Sequence, residues 1–475
     1  MSLKFVKRIT AITSCLALFN ICNYNNYIFA QENNINNIDL VSLDKESREF
    51  SEEYKKFLDN SKTEREVINY ALEKAKTLGF TEFDYSKKYN PGGKVYLLNN
   101  DKNIILCVFG KNNLSTGIKL AVAHADSPRL DLKLNMFNDQ KDLLFLKTHY
   151  YGGIQKQQWL NIPLALHGTV ITKNQEKINI IIGENTEEPC FCIADLLAHL
   201  SYPDRKITGE GLVVLAGCKD LTNTQENTLT EQVLKILEEK YKITQDDLDS
   251  SELCFVPSGK SRDLGFDKNM IGGYGHDDRS GAYCVLESIF NLQDNIPEQT
   301  SIVLLTDKEE TGSNGKTGAQ SKFFKNFISD IANQQNIKSR HVLSKSKCLS
   351  VDTTAAYDPN FADRFDYNNS VFMGKGVCIS KYNGYGGKYE TSDASPEFMR
   401  EIINTLDNKD IFWQSGIMGT VDNGAGGTIA DYYATQNMEV IDIGVPVFSM
   451  HAPLEIISKI DLYMTYKTIY SFFES

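Results

Sequence analysis

Five short segments carry the residue types from which a metal-dependent hydrolase is built. They read His124-Ala-Asp126, Asp277-Asp278-Arg279-Ser-Gly281, Glu309-Glu310-Thr-Gly312, Asp352-Thr-Thr and Met450-His451-Ala-Pro453. Neutral imidazole and carboxylate oxygens bind zinc at similar short distances. Two zinc ions roughly 3.5–4 Å apart need a bridging carboxylate and terminal ligands on either side. His124, Asp277, Glu310, Asp352 and His451 supply such a set. Asp277 fits the bridge, because Gly272-Gly-Tyr-Gly275 allows close backbone approach just before it and a helical pattern follows. Three ligand carboxylates against two Zn2+ leave a positive surplus. That surplus lowers the pKa of a bound water from 15.7 to about 7 and polarises a carbonyl. Glu309, beside Glu310 and not needed as a ligand, is free to take the proton of that water and return it to a leaving amine. Asp126 is placed to accept the other imidazole N–H of His124 and fix its tautomer. Taken singly, each segment reads as a solvated loop or an exposed helix start. Their joint order, most of them closing an apolar run, is what points to a metallopeptidase.

The elements that must position these residues alternate between strand and helix. Strand-like runs at Val95–Leu98, Ile104–Phe109 and Ile118–Ala123 lead up to His124. Further strands at Ile302–Thr306, Cys348–Val351 and Val440–Gly444 precede the glutamate pair, Asp352 and His451. Helical patterns fill 50–78, with a capping box opening at Thr63 and Glu66, then Gly281–Leu292, Ser321–Gln335, Pro396–Leu406 and Ile460–Phe473. In an open α/β sheet, ligands bind beyond the carboxyl ends of the strands, which brings distant residues to one rim. Between Asn135 and Val256 the texture changes to hairpin patterns, such as Val170-Ile-Thr followed by Ile178–Ile182, and to one amphipathic helix, Leu229–Tyr241. None of those residues is a candidate ligand. The segment reads as a β-rich insertion, residues 135–256, that divides a catalytic α/β domain into parts 31–134 and 257–475, with 31–48 a loose polar leader.

With 475 residues, 41% hydrophobic, the chain has enough apolar material for a large core. A net charge of −12, without a basic cluster interleaved with aromatics, excludes nucleic acid as a main partner. Lys4, Lys7 and Arg8 precede a short apolar run, Ile9 to Cys22, and Ala30 offers a small residue for cleavage. Residues 1–30 are therefore expected to be a signal peptide and the protein exported, with a cytoplasmic location as the alternative. The run is too short to cross a bilayer, so no integral membrane segment is expected in the mature chain. The eight cysteines beyond it lie mostly within apolar runs and are expected to be buried thiols.

Six motifs together resemble the aspartyl aminopeptidase/aminopeptidase I family of dinuclear zinc metallopeptidases. They are Ala123-His-Ala-Asp-Ser-Pro128, Tyr150-Tyr-Gly-Gly153, Asp277-Asp-Arg279, Glu309-Glu-Thr-Gly312, Ser350-Val-Asp352 and Ser449-Met-His451, in that order from about residue 50 to the end. The resemblance implies a phosphorylase/hydrolase-like α/β domain interrupted by a β-rich dimerisation domain, and dimers assembled into a dodecamer. It implies two zinc ions per subunit, with Co2+ or Mn2+ able to substitute. One would take His124 and Asp352, the other Glu310 and His451, with Asp277 bridging across a cis Asp277–Asp278 peptide and Glu309 as general base. Peptides would be the substrates, cut at the N-terminal residue. Lys381, within Ser380-Lys-Tyr-Asn383, and Tyr389 match the stretch that meets the substrate side chain, and Gly427, within Gly426-Gly-Thr428, matches a glycine-rich loop near it. Acid-specific relatives carry a Trp-His-Thr-Trp run where this chain has Gln155-Lys-Gln157-Gln-Trp159, so that histidine is not carried over. The rival readings are a deacylase or other amidohydrolase on the same scaffold, and a non-catalytic assembly protein that would have lost the ligands.

Overall fold

The computed structural model describes residues 39–202, 205–219, 227–292, 295–384, 386–389, 391–424 and 427–475. The candidate signal segment lies outside them, as does Gly426. The chain divides into two compact units, one ending at Glu49 and one running from Phe50 to Ser475. In the first, the Asp39 carboxylate accepts the amides of Val41 and Ser42 and so opens the helix Leu40–Asp59. The polar leader expected over 31–48 is thus helical from Leu40 onward.

In the unit Phe50–Ser475, a nine-stranded sheet forms the centre. Its spatial order is Thr81–Glu82, Lys94–Asn99, Asn103–Val108, Thr300–Thr306, Ile118–His124, Lys347–Val351, Glu439–Gly444, Val377–Ser380 and Trp413–Ser415. Four neighbours, Thr300–Thr306, Ile118–His124, Lys347–Val351 and Glu439–Gly444, run parallel. Asn103–Val108, Ile118–His124 and Thr300–Thr306 are buried at every position, the near-continuous apolar run of a sheet covered on both faces. The helix Phe323–Gln334 presents Phe324, Phe327, Ile328, Ile331 and Ala332, a helical stripe, to the cluster that holds Ile105, Val122, Ile302 and Leu304. Each phenylalanine or isoleucine of that stripe, fully buried, stabilises the fold by about 1.5–3 kcal/mol.

A second, antiparallel sheet of six strands is built from Arg129 to Pro257. Its order is Lys177–Ile182, Leu164–Ile171, Ser251–Pro257, Arg129–Gln140, Leu143–Tyr151 and Val213–Cys218. It begins at Arg129, six residues before the change of texture at Asn135, because the strand runs unbroken out of the loop that follows His124. Along Leu143–Tyr151 the buried residues Leu144, Leu146 and Thr148 alternate with more open ones, as in a sheet solvated on one face. The sheet has its own core, with Trp159, Leu164, Phe255 and Val256 among its buried members.

The short helix Glu64–Thr77 begins with the capping box expected at Thr63, and its first turn also docks the six-stranded sheet. Glu64 accepts from Arg129 at 2.8 Å, and Glu66 and Glu184 hold the two ring nitrogens of His167 at 2.8 and 3.0 Å. A third sheet of five short strands, Arg262–Leu264, Met270–Gly273, Glu455–Ser458, Pro446–Phe448 and Thr354–Ala355, stands at the rim of the central one. Among the described residues no helix is long and apolar enough to cross a membrane. All eight described cysteines are free thiols, five of them buried.

Candidate metal centre

The four parallel strands deliver their chemistry to one edge. Ile118–His124 ends on His124, whose register partner is Thr306, and Thr300–Thr306 runs on into the turn Glu309–Thr311. Lys347–Val351 stops one residue before Asp352, and Glu439–Gly444 leads through Pro446–Phe448 to His451. Asp277 arrives from the five-stranded sheet, where Gly273 pairs with Glu455, four residues beyond His451. The Asp277–Asp278 peptide is cis. Gly275 must be glycine: its φ is +78°, and a Cβ there would lie 1.8 Å from Arg279 Nη1.

Asp277 Oδ1 lies 3.2 Å from His124 Nε2, and Asp352 Oδ1 lies 3.7 Å from the same nitrogen. Asp277 Oδ2 lies 3.3 Å from His451 Nε2, and Glu310 Oε1 lies 3.5 Å from it. One carboxylate therefore faces two histidine–acid pairs through its two oxygens. Donor atoms about 2.0–2.2 Å from a tetrahedral zinc are about 3.3 Å apart, so these edges fit one ion in each triad. Asp277 Oδ1 and Glu310 Oε1 are buried without a hydrogen-bond partner, a state that a buried carboxylate oxygen sustains when it ligates a cation. Glu309 offers a carboxylate oxygen within 4.8 Å of a His124 nitrogen and a Glu310 oxygen.

The electrostatics agree. Burial, with Asp277 close by, raises the Glu310 carboxyl well above its ordinary range. Burial also pushes Glu309 up to about 8, with His124 opposing and Asp352, Asp126 and Asp277 adding to the rise. Burial would lower His451, yet Asp277 and Glu310 carry it to about 10. So many acids at one buried point favour bound protons or bound cations.

Both imidazoles turn Nε2 inward because Nδ1 is occupied. His124 Nδ1 donates to the Asp126 carbonyl oxygen at 3.0 Å, and His451 Nδ1 donates to the Gly153 carbonyl at 2.8 Å. This differs from the expected role of the Asp126 carboxylate, which lies farther away, at 3.4 Å. That carboxylate instead accepts the amides of Glu309 and Glu310 at 3.1 and 3.2 Å and the Tyr151 hydroxyl at 2.7 Å.

Several supporting residues escape sequence reasoning. Glu455, 1% exposed, accepts the Asp277 amide at 3.0 Å and the His451 amide at 2.6 Å. Its one signal in the sequence is a charge opening an otherwise apolar strand. Asp278 accepts the amides of His124 and Gly281, at 3.3 and 3.0 Å. Arg279 donates to Ser127 Oγ at 2.6 Å, and that hydroxyl in turn donates to the Asp277 carbonyl. His276 is buried between Tyr54 and the Ile271 carbonyl and takes no part.

A small cavity beside Asp352 is lined by Ser380, Asn383, Thr428 and Asp442, but not by Lys381, Tyr389 or Gly427. Lys381 pairs with Asp393, which also binds Lys388 at 2.9 Å, and Tyr389 is exposed.

Residues 57–473 match the family described as aminopeptidase I zinc metalloprotease (M18). A probable M18 family aminopeptidase 1 from Borrelia garinii subsp. bavariensis is 42% identical over 451 residues, covering 91% of this chain and 98% of its own. The crystal structure of an M18 family aminopeptidase from Thermotoga maritima superposes with a TM-score of 0.86 at 38% identity, over 90% of this chain and 97% of that one. At the level of fold alone, the S. cerevisiae mApe1 dodecamer matches with a TM-score of 0.74 at 18% identity, over 89% of this chain and 95% of that one. These matches agree with the motifs and with the strand-end cluster, and the chain belongs to the aminopeptidase I (M18) family of zinc metalloproteases.

Proposed function

We propose that this aminopeptidase works with two zinc ions, one held by His124, Asp277 and Asp352 and the other by Asp277, Glu310 and His451. The observation that carries the proposal is the Asp277 carboxylate, whose two oxygens face different histidine–acid pairs. Zinc bound there would acidify water and polarise the first peptide carbonyl of a substrate. The chain's own residues do the rest. Glu309 takes a proton from the attacking water and hands it to the leaving amine. His124 and His451, each fixed by a carbonyl at Nδ1, keep the site's geometry while charge develops. The free α-amine of the peptide would sit near the metals and an acidic side chain, as exopeptidase action requires.

The test is hydrolysis of an aminoacyl-chromophore panel (Asp, Glu, Leu, Met, Lys, Ala) with chelator and with added Zn2+, alongside Glu309→Gln. Release should depend on metal, and Glu309→Gln should keep its zinc while losing about 10²–10⁴-fold in kcat. Near-normal turnover in that variant would remove Glu309 as the base. Zinc binding without release from any substrate would favour a deacylase. The ranking of Asp and Glu against Leu shows whether Lys381 reads an acid.

The proposal extends to assembly and export. The six-stranded sheet would be the dimerisation surface of a homo-oligomer built up to a dodecamer, in line with the fold shared with the mApe1 dodecamer and with the exposed Leu196, Leu197, Leu200 and Tyr202 on one of its connections. Sedimentation at the mass of one chain would remove that reading. An exported form lacking residues 1–30 would show as a shortened N-terminus by mass spectrometry.

A further inference from the structure

Tyr151 ends a strand of the six-stranded sheet, yet its hydroxyl bonds the carboxylate that holds the turn carrying Glu309 and Glu310. It donates to Asp126 Oδ2 at 2.7 Å, the oxygen that also accepts the Glu310 amide at 3.2 Å. Asp126 is fully buried, so each of its contacts is made without competing solvent. Its Oδ1 accepts the Glu309 amide at 3.1 Å. Lys308, just before the pair, has φ +70°, and Gly312, just after the turn, has φ +90°. The turn therefore cannot lean on continued helix and depends on what its first amides meet.

The phenol is itself held. Arg129, its register partner on the adjacent strand, lays its guanidinium 4.2 Å from the ring centroid. Arg129 is fixed by Glu64 at 2.8 Å and Asp131 at 2.7 Å, and Glu64 by Lys102 at 2.9 Å. Tyr151 also lines a cavity of about 200 Å³, together with Glu64, Lys102, Arg129 and Lys308 among others. The hydroxyl bond and the Arg129 stack are what set its place. Burial and the neighbouring Asp126 keep the phenol protonated far above neutral pH, so it acts as a donor throughout the working range.

We propose that Tyr151 is a positioning residue for the reaction, through which the six-stranded sheet orients the Asp126 carboxylate and thereby the Glu309–Glu310 turn. The proposal rests on the assignment of Glu309 and Glu310 made above. Without the hydroxyl, Asp126 Oδ2 loses its shortest partner and the carboxylate is free to rotate away from the two amides. Glu310 then holds its ion less well, and Glu309 spends less time in line with the attacking water.

The experiment compares the full-length wild-type protein with Tyr151→Phe, which keeps the ring and its stack on Arg129, and with Tyr150→Phe, which removes the hydroxyl next door. Zinc affinity is measured by competition with a chromophoric chelator, and kcat and KM are measured separately. Tyr151→Phe should weaken one of the two zinc ions by about 10–100-fold, the range for partners that orient ligands, and lower kcat with KM unchanged. Tyr150→Phe should change neither. If Tyr151→Phe binds both ions and turns over as the wild type does, or loses only melting temperature, the proposal is overturned. If the wild type cleaves nothing on the panel, the proposed reaction fails, while the ratio of zinc affinities still decides the place of Tyr151.

Discussion

His124 ends a strand and Asp352 follows its parallel neighbour by one residue, whereas Glu310 and His451 stand on turns farther from the strand ends. The first pair is placed by sheet register: Leu120 pairs with Cys348 and Val122 with Ser350, so both side chains share a depth fixed by backbone bonds between strands that are buried over all or nearly all of their length. The second pair is placed by side chains that catch backbone amides, Asp126 for Glu310 and Glu455 for His451. Even the bond that orients each imidazole differs in reach. His124 uses a carbonyl two residues away, and His451 uses Gly153, which lies 298 residues distant in the chain. His124 is 1% exposed and the His451 side chain 32%. One half of the cluster is thus a product of the core, and the other is a product of a few specific hydrogen bonds at its mouth.

That contrast can be broken outright at the residue common to both halves. Asp277→Asn should abolish the bridge, leave less than two zinc ions per chain by elemental analysis, and lower kcat/KM by at least about 10³-fold, given several kcal/mol of Lewis-acid stabilisation at 1.36 kcal/mol per tenfold. Two tightly held ions in this variant would show that Asp277 is not the bridge. A gentler change acts mainly on one side. Glu455→Gln should weaken the ion at Glu310 and His451 by about 10–100-fold and the other by less, because the His451 amide loses its charged acceptor while Asp277, whose amide Glu455 also holds, keeps its ligand carboxylate. Equal weakening of both ions would mean that the halves are coupled more closely than their supports suggest. The smallest effect needs no mutation. Chelator added to the zinc-loaded protein should remove the two equivalents in two phases, the ion at half-exposed His451 leaving first, and release in a single phase would erase the distinction.

The same contrast explains what was legible in the sequence. His124, Asp352 and the glutamate pair could be read because each closes an apolar run, and strand ends are where an α/β sheet presents its ligands. Helix Leu229–Tyr241 and the Thr63 capping box were legible for a similar reason, since their signals are local. Glu455, Tyr151 and Asp278 were not, because their roles arise from pairings between separate elements, 178, 25 and 154 residues apart, that no periodicity encodes. Asp126 was recognised as important through its two-residue spacing from His124. Its carboxylate nonetheless serves the turn at Glu309, because the backbone carbonyl already satisfies the imidazole. The onset of the six-stranded sheet at Arg129 was hidden by Arg129–Gln140, where charged and polar residues alternate with leucines on a half-exposed strand.

The Gly152–Gly153 corner, where the six-stranded sheet meets the metal centre, carries a consequence for how this protein can vary. The Gly153 carbonyl holds His451, and a Cβ on Gly152, at φ +74°, would come 3.0 Å from Glu310 Oε2. A segment that supplies none of the proposed ligands therefore forms part of the wall of the candidate site. It is not an exchangeable module: a graft of that sheet from a distant relative would import a different wall along with a different surface. Its corner and the two ligands it touches must be inherited as one piece, while the outer strands remain free to diverge.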